Sequence, residues 1–429
     1  MVALHPNRPR FMITIRAIRW GTSLGFAASF LAGTSTAATG LFEHGNWWRA
    51  QLALSTTVDS NPFLVSDREE KRFFFEDQDI SGRGQSVQAS LEAGVRLSRQ
   101  GLSLKADLTQ RTRESLGLLD ENSIAWEGRW DWAVGSRWFG QLDFLRDRDL
   151  TPITELQLFK VNNEGSAAVF RSPRRRDLIR FDLNYQYHPS WRIRWGMTHL
   201  TTRFEPTDQP RYIHVTRAME VQWIYQRHAE GPSAELWALT HSPTFSGPPL
   251  YLNQVPITTY RDVEARAVLN LDPGGHSRTG GYIGYLRRHY PALNTWTGGG
   301  MTGRVYWRWA TTARTNLDCS AWRQRISLAD LETPSIVETG LGMVGEWSPR
   351  GPWRFRMAGQ WAQNLFDSPA TEARLQRQDR STDWEIDGRY QLQELVFVTL
   401  ACGSLHREST VSVASYGRFQ VSAELRTQF

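Results

Sequence analysis

From Trp47 onward, apolar and polar side chains alternate in segments of about 10 residues, the two-residue period of β-strands. Helical period is nowhere sustained. Val87, Ala89, Leu91, Ala93, Val95 and Leu97 share one face, opposite Gln88, Ser90, Glu92, Gly94, Arg96 and Ser98. After the turn Arg99 to Gly101, Leu102, Leu104, Ala106 and Leu108 oppose Ser103, Lys105, Asp107 and Thr109, which makes a hairpin. The same pattern returns around Trp126, Phe181, Trp195, Ala265, Phe355 and Ile386, and in a last segment from Phe419 to the terminal Phe429. It weakens at Ser233 to Leu239, Gly280 to Arg288 and Leu395 to Cys402, where a plug, a bulge or a miscounted strand are all open readings.

Alternation alone fits a soluble sandwich as well as a membrane barrel. The connections separate the two. Tight links at Arg99 to Gly101, Gly135 to Ser136, His188 to Ser190, Asp272 to Gly275, Thr311 to Thr312, Pro349 to Pro352 and Gln393 to Glu394 alternate with long ones. The long ones include Ser60 to Gln85, Arg146 to Arg176, Arg203 to Val215, His241 to Tyr260 and Ala362 to Arg380. Short on one side and long on the other is the layout of an outer-membrane barrel, with the short turns in the periplasm. Trp132 and Trp138, Tyr187 and Trp191, and Trp347 and Trp353 flank short turns, where rings with a polar edge suit a membrane-water interface. The expected fold is therefore all-β: a transmembrane, antiparallel, up-and-down β-barrel of about 18 strands, an even number that leaves both termini in the periplasm.

The N-terminus adds an export signal. Arg8, Arg10, Arg16 and Arg19 precede an apolar stretch from Gly21 to Gly33, and small residues follow at Ser35, Thr36, Ala37 and Ala38. About 13 apolar positions fall short of the roughly 20 that a helical span needs, so residues 1–38 are expected to be a cleaved signal peptide and 39–429 the barrel. A final alternating strand ending in Phe429 is expected to serve as the signal for the outer-membrane assembly machinery. All these features predict residence in the outer membrane of a Gram-negative bacterium.

Charge argues against a nucleic-acid partner, because forty-six basic residues beyond the signal face forty-four acids. Lysine beyond the signal is confined to Lys71, Lys105 and Lys160, so the basic groups are nearly all arginine, a planar donor suited to carboxylate or phosphate. Cys319 and Cys402 fall on segments far apart around the wall, which predicts two free thiols. A barrel of this size encloses an aqueous channel, so passage is the expected function. By parity Arg129, Arg180, Arg192, Arg194, Arg304, Arg308, Arg354 and Arg356 line it. They form either a ladder for anionic groups or a wall balanced by Glu127, Asp131, Asp182, Glu220, Glu264, Glu346, Glu385 and Asp387. Tyr282 and Tyr306 also point inward, where they could stack on sugar rings or simply fill space.

No catalytic residue, metal site or cofactor is expected. His241 beside Ser242, and His406 near Glu408 and Ser409, are the nearest approaches to a nucleophile with a base, and no histidines stand at metal-ligand spacing. Asp67, Glu69, Glu70, Glu76, Asp77 and Asp79 make an acidic first loop, a candidate for Ca2+ near lipopolysaccharide or a hydrated loop.

The element Asp59, Ser60, Asn61, Pro62, Phe63, Leu64, followed after a gap by a strand near Arg83, Gly84 and Gln85, resembles the EpsL-type outer-membrane barrels encoded with exopolysaccharide biosynthesis operons, relatives of the porin-like barrels. The resemblance implies export of a polysaccharide, with periplasmic polysaccharide-export proteins and outer-membrane lipid as partners. It transfers no catalytic residue. A general or anion-preferring porin for small solutes is the alternative, and an outer-membrane hydrolase the third.

Overall fold

The computed structural model describes residues 46–62, 81–114, 120–150, 159–161, 167–169, 173–204, 212–228, 231–246, 250–252, 255–257, 259–274, 276–292, 297–326, 336–366, 377–410 and 415–429. The expected export signal and the acidic segment Asp67 to Asp79 lie outside these residues.

All regular structure among the described residues is strand. The first nine are β1 (Trp47–Asp59), β2 (Gly82–Leu97), β3 (Gln100–Arg113), β4 (Glu121–Val134), β5 (Trp138–Leu150), β6 (Phe159–Val161), β7 (Ala167–Val169), β8 (Pro173–His188) and β9 (Trp191–Phe204). Then follow β10 (Tyr212–Gln226), β11 (Ser233–Ser246), β12 (Leu250–Leu252), β13 (Val255–Ile257), β14 (Arg261–Gly274), β15 (Ser277–His289) and β16 (Thr297–Thr312). The last six are β17 (Thr315–Ile326), β18 (Ile336–Trp347), β19 (Trp353–Phe366), β20 (Gln378–Gln393), β21 (Val396–Ser409) and β22 (Tyr416–Gln428). The short pairs β6/β7 and β12/β13 stand apart as hairpins within long connections, and the other strands form one 18-stranded sheet. Each pairs antiparallel with its neighbour in chain order, and β22 closes on β1 through the register Gln51↔Gln428 to Asp59↔Gln420.

Closure leaves no strand edge, so the backbone polar groups are satisfied without water, as a bilayer demands. The outward face is apolar. Leu91, Leu104, Ile283, Val305, Leu341 and Leu400 are all more than half exposed, far beyond the apolar patches of soluble monomers. With a rise of about 3.3 Å per residue and a tilt near 40°, the outward run Val87 to Leu97 covers about 25 Å along the barrel axis, the height of a hydrocarbon band.

Short turns gather at one end together with both described termini. Ser98 and Gly135 there take left-handed backbones, φ 60° and 64°, which let the strands reverse within a few residues. Outward rings form a girdle at the same end. Trp138 stacks on Tyr185 at 4.4 Å, Trp191 packs on Tyr225 at 4.7 Å, and Trp353 on Tyr390 at 4.7 Å. The indole edges are hydrogen-bonded, Trp223 to Tyr187 and Trp307 to Ser277.

The strand count agrees with the expectation from sequence, but strand lengths do not: strands of the wall run for 12–16 residues rather than about 10. The added residues lie toward the long-loop end, where both faces are polar, as at Arg146 to Leu150 and Pro173 to Arg176. A strand that leaves the lipid loses the alternation that betrays it. The three segments of weak alternation are ordinary members of β11, β15 and β21, with neither plug nor miscount. Their pattern fails because the inward face carries Trp237, Leu239 and Phe397, and because β15 holds glycines at 280, 281 and 284.

The Asp59 to Asn61 element closes the seam. Asp59 is fully buried and accepts a fork from Arg418 of β22 (3.0 and 2.5 Å), with Arg113 of β3 at 3.6 Å. The Asn61 amide donates to the Gly417 carbonyl at 2.9 Å, and the Phe419 N–H donates to the Ser60 hydroxyl at 2.8 Å. At the other end of the seam Phe429 exchanges backbone hydrogen bonds with Ala50 (2.8 and 3.1 Å) and points its ring outward. The first and last wall strands, β1 and β22, are thus fastened at both rims.

Candidate lumen surface

Register places all eight of the arginines predicted from sequence on the inward face. Five are tied to carboxylates. Arg129 meets Asp143 at 2.9 Å and Arg308 meets Asp318 at 2.7 Å, each across one strand pair. Arg356 lies 3.6 Å from Glu385 and 3.5 Å from Asp387. Arg180 and Arg194 share Asp182 (3.0 and 2.9 Å) and both approach Glu220 (3.4 and 3.8 Å). All four groups of this last cluster are buried, and Gly196 makes room: a Cβ there would sit 2.5 Å from the Glu220 side chain.

The remaining three behave differently. Arg192 has its Nε buried without a hydrogen-bond partner among the described residues. Arg354 sits directly opposite Arg389 of β20, whose guanidinium stacks on Phe397 at 4.5 Å, near the short-turn mouth. Arg304 has no ion-pair partner among the described residues and lies between Tyr282 of β15 and Trp322 of β17 in direct register.

Of the acids expected to balance the wall, Asp182, Glu220, Glu264, Glu385 and Asp387 do face arginines. Others lie at strand ends, with Asp147, Asp149 and Asp379 beyond the alternation visible in sequence. Asp262 accepts a fork from Arg288 at 2.7 Å twice, with Tyr260 beneath the guanidinium at 4.1 Å. Asp379 gathers Arg377, Arg407 and Ser409, and Asp147 and Asp149 bind Arg176 and Arg174. With Asp59 these make carboxylate–arginine clasps toward the long-loop end of the lumen.

The two candidate nucleophiles dissolve in the geometry. His241 points inward, 3.7 Å from Asp262, whereas Ser242 points outward on the next pleat. His406 and Glu408 face outward at 3.4 Å, while Ser409 donates inward to Asp379. Cys319 and Cys402 are free thiols on β17 and β21.

Tyr282 and Tyr306 point inward as expected. Arg266, on the polar face of a cleanly alternating segment, also points inward, and sequence pattern did not single out Trp237 and Trp322, which are inward and partly exposed like it. For Trp237 the available signal was the loss of alternation around it.

An outward apolar band, a ring girdle at the short-turn end and a charged, hydrated inner face make this an outer-membrane barrel channel of a Gram-negative bacterium. No protein-family model matches the chain, and no curated protein does. Solved structures of similar layout include Pseudomonas aeruginosa OccK2 in complex with glucuronate (11% identity, 90% of this chain and 100% of that one, TM-score 0.48). The siderophore receptor PirA of the same organism is another (8% identity, 89% and 80%, TM-score 0.48), as is P. aeruginosa OpdK with vanillate (9% identity, 89% and 99%, TM-score 0.47).

Proposed function

We propose that this channel carries an exopolysaccharide, acidic in character, across the outer membrane, the role implied by the resemblance to EpsL-type barrels. The observation that supports it best is the arginines of β16 and β19, Arg304 and Arg308 on one strand and Arg354/Arg356 at a two-residue interval on the other, all facing the lumen. Guanidinium forks spaced along the wall offer a moving acidic chain one weak contact after another, and conduction needs contacts that both form and release. Arg354 and Arg389 at the short-turn mouth would meet the polymer first, coming from periplasmic export proteins. The outward face would lie in outer-membrane lipid and lipopolysaccharide, delivered there by the assembly machinery reading Phe429.

Deleting the gene and measuring surface and periplasmic polysaccharide together tests this. Accumulation in the periplasm with loss from the surface is expected, and an unchanged polymer profile overturns it. A second reading, a general or anion-preferring porin for small solutes, draws on the pairing of Arg129, Arg180, Arg194, Arg308 and Arg356 with carboxylates, which brings the wall toward charge balance and so favours the general form. Single-channel recording separates the two: a porin conducts steadily at rest, whereas an exporter is gated, its openings interrupted by closures or by polymer.

A further inference from the structure

Where alternation fails on β11 and β15, the inward side chains of five consecutive wall strands form a single row. Trp237 of β11 is directly opposite Arg266 of β14. Arg266 stacks on Tyr282 of β15 at 4.6 Å, Tyr282 is opposite Arg304 of β16, and Arg304 is opposite Trp322 of β17. Aromatic ring and guanidinium alternate along the whole row, and every member is partly exposed to the lumen.

The rings are held in place by their polar edges. The Trp237 indole N–H donates to Glu235 at 2.7 Å, and that of Trp322 donates to Glu338 at 2.7 Å. Trp322 lies across the neighbouring strand, because a Cβ on Gly340 would fall 2.4 Å from its ring and one on Gly342 would fall 3.3 Å from it. A ring laid flat on glycines presents its other face to the bore. Tyr306 crosses Gly280 in the same manner, its hydroxyl donating to Asn270 at 2.7 Å. Arg266 is neutralised by a two-pronged bond to Glu264, both at 2.7 Å, which leaves Arg304 as the row's uncompensated cation.

We propose that Trp237, Arg266, Tyr282, Arg304 and Trp322 form a binding track for an anionic saccharide chain, with Arg304 taking the carboxylate of a uronic acid unit and Trp322 stacking on a sugar face. This deepens the export reading and rests on it for the direction of travel alone. Guanidinium and carboxylate match through two parallel hydrogen bonds, and apolar C–H faces of a pyranose suit an indole face. Neighbouring strands lie about 4.8 Å apart, so rings recur every 10 Å or so, close to the length of a disaccharide.

The test is current block of the purified barrel in a planar bilayer by oligogalacturonate, with neutral cello-oligosaccharide and monomeric galacturonate as comparisons. Oligogalacturonate should block the wild type, more tightly than either comparison. Arg304→Gln should weaken that block at least fivefold and leave cello-oligosaccharide unchanged, and Trp322→Leu should weaken both oligomers at least fivefold. Unaltered open conductance shows that each variant has folded. If Arg304→Gln fails to insert, Arg304→Lys, which keeps the charge and loses the fork, is read in its place. Absence of block in the wild type, or losses under fivefold in both variants, overturns the track. A deletion strain with normal polymer alongside intact block would sink export and spare the track; accumulation without block would do the reverse.

Discussion

The lumen wall over β8 to β10 and the wall over β16 to β18 carry the same residue type to opposite ends. In the first, Arg180 and Asp182 have side chains only 6% and 4% exposed and are fully engaged with Arg194 and Glu220. In the second, Arg308 and Asp318 remain 54% and 42% exposed, and Arg304 has no acidic partner among the described residues. A dry ion cluster is committed to holding three strands together, since breaking it strands a charge in low dielectric. A wet arginine is available to whatever passes. The difference lies in the neighbours and not in the strand pattern, which is identical in the two places.

Four substitutions and one control variant probe that contrast. Glu220→Ala should have the largest effect, leaving Arg180 and Arg194 to share Asp182 and costing about 3–5 kcal/mol; urea unfolding of the barrel in lipid vesicles, followed by tryptophan fluorescence, measures it. Asp59→Ala should approach that loss for the same reason, because Arg418 and Arg113 lose their buried acceptor at the seam. Its signature would be a lowered temperature for the gel-mobility shift that marks barrel opening. Gly340→Val should cost about 1–3 kcal/mol by driving a side chain into the Trp322 ring. It would also impair oligogalacturonate block, whereas Gly345→Val on the same strand, with open space around its Cβ, should leave block intact. Asp318→Asn should change stability least, by no more than about 1 kcal/mol, as expected for an exposed pair. It should nevertheless move the reversal potential in a salt gradient toward anion preference. A stability loss at Asp318 equal to that at Glu220 would erase the distinction between the two walls.

The faces of most strands were legible from sequence because the two-residue period is local and survives wherever lipid lies on one side and water on the other. The eight inward arginines, the girdle rings beside Trp191 and Trp353, and the outward Phe429 follow from that rule alone. The rule failed where an inward position is itself aromatic, at Trp237 and Phe397, or is glycine, at Gly280 and Gly284. Those on β11 and β15 fall on or beside the proposed track, in line with the general tendency of local rules to break at functional surfaces, whereas Phe397 lies away from it on β21. The Asp59 to Asn61 element was visible as a motif, but its work at the seam was not, since Arg418 lies 359 residues away.

What the chain determined unaided is therefore period, turn placement and closure into a membrane barrel: alternation fixes a face, and an even number of strands returns to its starting side. Only the tertiary structure decided which side chains are neighbours. Register between strands sets whether an inward arginine meets Asp182, a ring such as Tyr282, or nothing but water, and register is a relation between segments that no single segment encodes.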